Sequence, residues 1–214
     1  DIQGPAEGED VHEVTVEEYT QCVSDGVCTK PSITNVDDPA YNYFHPFKTT
    51  HPVNGVTWAQ ADGYCSAIGK RLPTAAEWEK AARGGCELFA GQQCAAAMPA
   101  YPWGNAVPNC DLANFEDGCT TNSTGVPGAR PAGNSPYSVS DMAGNVAEWV
   151  ADLYDATYYA TSPVENPPGG TGPNHEIRGG GYYHGVIAVG SSRRSAAAPD
   201  TAAHNLGFRC AKSF

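Results

Sequence analysis

Charge is scarce in this sequence, and positive charge scarcest: Asp, Glu, Lys and Arg together make up 17% of the 214 residues, with 12 basic against 24 acidic. At a formal net charge of −12 a phosphate backbone or an anionic bilayer is repelled over most of the surface, which argues against nucleic acid as a partner. No apolar run approaches the ~18–20 residues of a membrane span. The opening Asp1-Ile2-Gln3-Gly4-Pro5 has neither the basic nor the apolar region of a signal peptide, and the chain reads as mature and soluble. Also missing are the C-x-x-C knuckles of zinc sites and any H-E-x-x-H pair, so nothing indicates a zinc or iron centre. What is abundant is Gly, at 24, and Pro, at 17, a composition that disfavours helical bundles and favours a loop-rich globule with short strands.

The eight cysteines stand at 22, 28, 65, 86, 94, 110, 119 and 210. Cys22/Cys28, Cys86/Cys94 and Cys110/Cys119 each enclose a short segment that a disulfide could staple. Disulfides imply an oxidising compartment, hence an exported protein, extracellular or at the cell surface.

Three capping-box patterns predict three helices. Thr15-Val16-Glu17-Glu18 opens one whose Val16, Tyr19 and Val23 share a face, ending at Gly26. Thr57-Trp58-Ala59-Gln60 opens a second with Trp58, Ala61, Cys65 and Ile68 on one face, stopped by Gly69. Thr74-Ala75-Ala76-Glu77 opens a third, carrying Trp78, Ala81 and Ala82 to Gly84-Gly85. Beyond Gly85, turn residues recur every few positions. Strand-like stretches there are short, such as Gly181-Tyr182-Tyr183, Gly185 to Val189 and Leu206 to Cys210. No internal repeat or linker divides the chain, so residues 1–214 count as one domain.

Glu13-Val14-Thr15-Val16-Glu17-Glu18-Tyr19, His51-Pro52-Val53, Gly69-Lys70-Arg71-Leu72-Pro73-Thr74 with Glu77-Trp78-Glu79, and Pro102-Trp103-Gly104-Asn105 follow one another along the chain. After them come Asp141-Met142-Ala143-Gly144-Asn145-Val146-Ala147-Glu148-Trp149, Arg178-Gly179-Gly180 and Asn205-Leu206-Gly207-Phe208-Arg209-Cys210. In that order these motifs resemble the formylglycine-generating enzyme (sulfatase-modifying factor) family over nearly the whole chain. The resemblance implies an α+β fold, the family's variant of the C-type lectin fold, loop-rich with short mixed sheets and two to three helices. It also implies a Cys65–Cys210 disulfide. The family's opening strand motif is replaced by Gly4-Pro5-Ala6-Glu7-Gly8-Glu9-Asp10, which leaves a sheet edge open to strand addition by a neighbour.

Family members resemble copper-dependent oxidases whose two cysteines, five apart, follow a Gly-Gly-Ser-Tyr segment; soft thiolates suit Cu(I). Gly181-Tyr182-Tyr183-His184-Gly185-Val186-Ile187 holds no cysteine, and Gly181 replaces the serine. A lone His184 makes no metal site, so the chain leans away from catalysis. The family also wraps Ca²⁺ at the counterpart of 141–148. Carried over, the ligands of one structural ion are the Asp141 carboxylate, the Gly144 and Val146 carbonyls and the Glu148 carboxylate, hard oxygens of the kind calcium takes. A second site would need Ala113-Asn114-Phe115 and a downstream acidic element that Thr120-Thr121-Asn122-Ser123 replaces. Arg71 and Arg209 read as buried carboxylate partners.

The expected function is a non-catalytic, exported binding or assembly module. It contacts a protein or glycan, or another copy of itself, through segment 182–193, with Tyr182, Tyr183, His184 and Arg193 as ligand-binding residues. One alternative is a metal-dependent oxidoreductase of the formylglycine-generating or non-haem iron type. Another is a self-assembling subunit or a retroelement-diversified display protein, since every residue type from Tyr182 to Ala188 is reachable from an asparagine codon by changing adenines.

Overall fold

The computed structural model describes residues 10–33, 37–88, 98–117, 119, 122–163 and 166–212. Three helices form where the capping boxes place them: α1 (Val16–Ser24), α2 (Trp58–Ala67) and α3 (Ala75–Arg83). In each, the Thr side chain accepts from the backbone N–H of the Glu or Gln three residues on, and that side chain reaches back to the Thr backbone. α1 buries Val16, Tyr19 and Cys22, and α3 buries Ala75, Trp78, Ala81 and Ala82. α2 buries Ala61, Tyr64 and Cys65, while Ile68, expected on that face, stands 45% exposed beyond its last turn.

Four short strands make one mixed sheet: β1 (Ala147–Leu153), β2 (His175–Arg178), β3 (Ser195–Ala197) and β4 (Leu206–Phe208), in the order β3-β2-β1-β4. β1 runs antiparallel to β2, with Glu148 opposite Arg178, and parallel to β4, with Trp149 opposite Phe208. Because side chains alternate along a strand, β1 serves two layers. Ala147 and Trp149 face a core of Tyr19, Val53, Val56, Tyr64, Leu72 and Phe208 beneath α1 and α2. On the other face Val150 packs with Trp78 and Met142, Glu148 accepts from Trp78 Nε1 (2.8 Å), and Asp152 accepts from Ala75 N (2.8 Å) at the start of α3. The strand at the centre of the fold therefore sends two carboxylates into the α3 layer.

Two sequence expectations need correction. Residues 181–189 are turns and not strands: Gly179 (φ +82°) and Gly180 (φ +66°) swing the chain off the end of β2, and His184 N–H and Ala188 N–H bond back to Gly181 and Gly185. The β4 edge is also covered, because Val14 N–H donates to Phe208 O (3.0 Å) and Asp10 N–H to Cys210 O (2.8 Å). The stretch 10–14 therefore occupies the position left open for a neighbour's strand.

Cys22–Cys28, Cys65–Cys210 and Cys110–Cys119 are disulfides, as expected. Cys86 is disulfide-bonded as well, and Cys94, its expected partner, lies outside the described residues.

Candidate functional site

The turn leading into β1 collects buried charge. Asp141 (φ +55°), Gly144 (φ +84°) and Asn145 (φ +61°) curl the backbone before Ala147. Gly128 N–H donates to Asp141 Oδ2 (2.6 Å), Gly144 N–H to Gly179 O (3.0 Å) and Asn145 N–H to Asn114 O (2.9 Å). At Gly144 a Cβ would overlap the Asn114 carbonyl, and the left-handed backbone disfavours any L side chain. Gly144→Ala is therefore expected to lower unfolding free energy by about 2 kcal/mol or more, read from urea midpoints.

Glu148, expected as an ion ligand, is fully buried with both oxygens engaged. Arg209 Nη2 donates to Oε1 (2.6 Å) and Nε to Oε2 (2.7 Å), and Trp78 Nε1 shares Oε2. Arg209 also reaches Ser140 O (3.0 Å), so it is the buried carboxylate partner that the sequence indicated. Glu13 completes the group, its carboxylate accepting from Asn145 Nδ2 (2.6 Å) and Val146 N (3.2 Å). Burial first, then repulsion from Asp141 and Glu148, holds the Glu13 carboxyl well above the usual range; burial likewise raises Asp141. Sequence reasoning names Glu13 only as the first residue of the opening family motif, because nothing in its spacing ties it to residues so far along the chain.

Glu13, Asp141 and Glu148 thus share a buried region with the Arg209 guanidinium, with Arg130 also acting on Asp141, and carboxylates outnumber cations there when all are ionised. A divalent cation on hard oxygens fits that imbalance. Among the described residues no group of three or more His, Cys, Asp or Glu is placed to hold a metal, so an ion here would draw on backbone carbonyls as well. At the Asn114 part of the second site, the side-chain Nδ2 donates to Ser123 O (2.9 Å) and the backbone carbonyl accepts from Asn145 N (2.9 Å). Thr120 and Thr121 lie outside the described residues.

The 181–193 segment is seated between two loops. Asp117 Oδ2 accepts from Val186 N (2.9 Å), Glu116 N–H donates to His184 O (3.0 Å), and Ser191 N–H donates to Ala100 O (2.9 Å). Val189 is fully buried against Ala113, Phe115 and Ala143. Of the residues expected to meet a ligand, Tyr182 does not: it is 3% exposed, and its hydroxyl is bonded to His204 Nδ1 (2.7 Å). His184 is turned inward too, its ring nitrogens on Gly181 N (2.9 Å) and the Asn205 amide (3.2 Å) rather than beside Arg193. Tyr183, at 55%, and Ile187, at 75%, are exposed, as is Arg193. Arg194 is held separately, with Nη2 on Glu176 (2.6 Å) and its guanidinium over Tyr159 (4.6 Å). No cysteine stands between 119 and 210, and no described cysteine is free, so the two soft thiolates of a copper site have no donors here.

Helices and a small mixed sheet carrying long, pinned loops define a C-type lectin-like fold of the formylglycine-generating kind. The chain matches the Sulfatase-modifying factor enzyme 1-like domain over residues 10–214 and belongs to that family. It is 40% identical over 178 residues to the formylglycine-generating enzyme of Streptomyces coelicolor, covering 77% of this chain and 53% of that protein. It is 35% identical over 178 residues to the inactive C-alpha-formylglycine-generating enzyme 2 of Bos taurus, covering 77% and 51%. The chain thus spans about half the length of these relatives. Among solved structures, Treponema denticola variable protein 1 superposes with a TM-score of 0.70 at 20% identity, covering 95% of this chain and 83% of that one, a likeness of fold.

Proposed function

We propose that this chain is a non-catalytic binding module of an exported protein, built on the formylglycine-generating fold and contacting a protein or glycan through the exposed side of residues 183–193. The observation that carries the reading is the contrast within that segment. Its backbone is fixed by Asp117, Glu116 and the buried Val189, while Tyr183 and Ile187 project into solvent. Large apolar side chains on a fixed backbone give contact area at low entropy cost, and Arg193 adds a charge at the rim. Disulfides fit an oxidising compartment. No described helix is long and apolar enough to cross a membrane. A family member named inactive is in keeping with a role other than oxidation.

With a Cys-x-Pro-x-Arg peptide, copper, oxygen and a reductant, mass spectrometry is expected to find no aldehyde; turnover that survives repurification would establish the oxidase alternative. On a glycan array, and by light scattering for self-association, Tyr183→Ala and Ile187→Asp should each weaken the interaction about tenfold without shifting the melting temperature. Unchanged binding would move the contact surface elsewhere.

The same reading includes one structural calcium ion in the 141–148 turn, held by the Asp141 carboxylate and the Gly144 and Val146 carbonyls, with Glu148 shared between the ion and Arg209. Its contribution would be charge neutralisation and a fixed loop. Saturating calcium at about a hundred times Kd adds about 2.7 kcal/mol. A chelator should therefore lower the melting temperature of the wild type and leave Asp141→Ala unmoved; no response in either protein would count against the ion.

A further inference from the structure

We propose that His184 is the positioning residue of the recognition segment, a pin that holds residues 181–189 closed while its ring is neutral and releases them when it takes a proton. This rests on the reading of that segment as the contact surface. His184 N–H donates to Gly181 O (2.9 Å), and Gly181 N–H donates to His184 Nδ1 (2.9 Å), so the turn is closed twice by one residue pair. An Nδ1 that accepts from a backbone N–H carries the lone pair, which places the ring proton on Nε2. Nε2 lies 3.2 Å from Asn205 Nδ2, and turning that amide over by 180° sets its oxygen there to receive the proton.

A protonated imidazole has two N–H groups and no acceptor. Gly181 N–H would then face another N–H at hydrogen-bond distance. Gly181 is hemmed in, since a Cβ there would lie 3.0 Å from Asn205 O and 3.1 Å from Ala147 N. Relief therefore comes by the His184 end of the turn moving outward, carrying with it the carbonyl that holds Glu116 N–H.

The groups around the ring oppose one another. From the 113–117 loop, Glu116 favours the charged ring; from the 203–205 stretch, His204, itself tied to Tyr182 Oη, disfavours it. Asp117 faces the same segment through Val186 N, and Tyr183 lies edge-on to His204 at 5.5 Å. Burial is the largest influence and pulls His184 below its usual value of 6.5. A histidine depressed in the folded state contributes stability that is present above the unfolded value, about 6.5, and lost as pH falls through the folded one. His51 and His175 are also depressed by burial, and the Glu13 and Asp141 carboxyls are raised by it, so a global melt would mix several groups and the readout must be local.

Amide exchange protection factors, measured by NMR at about pH 7.5 and pH 5 on the free chain, provide that readout. Acidification should reduce protection at Gly181, His184 and Ala188 at least tenfold more than at Trp149 in β1. His184→Gln, whose carboxamide oxygen can accept from Gly181 N–H without titrating, should keep protection at both values. His184→Ala should lack it at both. A uniform change across segment and strand, or the wild-type pH dependence persisting in His184→Gln, would overturn the proposal. Since no ligand is involved, failure here leaves the contact surface standing, whereas failure of Tyr183→Ala to alter binding leaves the pin standing.

Discussion

Arg209→Met should lower the unfolding free energy by about 3–5 kcal/mol, the scale on which breaking one side of a buried ion pair acts. Both side chains of the Arg209–Glu148 pair are 0% exposed, and they meet through two parallel N–H···O contacts. Removing the guanidinium leaves Glu148 with the Trp78 N–H as its remaining side-chain donor, near Asp141 and Glu13. Without the cation, repulsion among three buried carboxylates is less compensated, and at least one must take up a proton. The penalty should accordingly shrink on acidification toward pH 5, and the Glu148→Gln/Arg209→Met double variant should recover part of the loss. Urea denaturation of the two single variants and the double closes the cycle. A loss under about 1 kcal/mol for Arg209→Met would mean that water reaches the pair.

That pair also shows where sequence reading succeeds and stops. The helices were legible because their start signals are local: Thr15, Thr57 and Thr74 each find a partner three residues on. β1 and β2 were not, because the usual alternation of apolar-in and polar-out is broken by charge. Glu148, Glu176 and Arg178 are buried, and in His175-Glu176-Ile177-Arg178 the charged positions are the inward ones. β3, a Ser-Ala-Ala segment, has little strand propensity and is fixed by its pairing with β2. In the 181–193 segment the stretches Gly181-Tyr182-Tyr183 and Gly185 to Val189 read as strands until the left-handed Gly179 and Gly180 are seen to turn the chain aside. Which side chains of that segment face out depends on contacts with His204, Asn205 and Asp117, and no spacing rule encodes those, so sequence reading groups Tyr182 and His184 with the exposed Tyr183 and Arg193. Family resemblance supplied the turn at 141–148 and the pairing of Cys65 with Cys210. It did not tie Glu13 to that turn.

Removing the Cys65–Cys210 bridge should cost more than removing either short one. Its sequence separation is 145, against 6 for Cys22–Cys28 and 9 for Cys110–Cys119. In the chain-entropy description, closing the long loop contributes about 5 kcal/mol and closing the six-residue loop about 2 kcal/mol, upper figures because the unfolded chain keeps some structure. Cys65→Ala/Cys210→Ala is expected to lose about 3–5 kcal/mol and Cys22→Ala/Cys28→Ala about 1–2 kcal/mol, compared by thermal unfolding at equal protein concentration. The long bridge ties the buried face of α2 to the residue beside Arg209, and Arg71 pairs with Ala211 one step further on. Loosening that end of the chain should loosen the guanidinium as well. Combining Arg209→Met with the loss of the bridge should therefore destabilise by less than the sum of the two, with a coupling of about 1 kcal/mol or more. Strict additivity would show that the ion pair is held by β4 alone, and equal losses for the long and short bridges would show that the entropy of the unfolded chain is not what the Cys65–Cys210 disulfide controls.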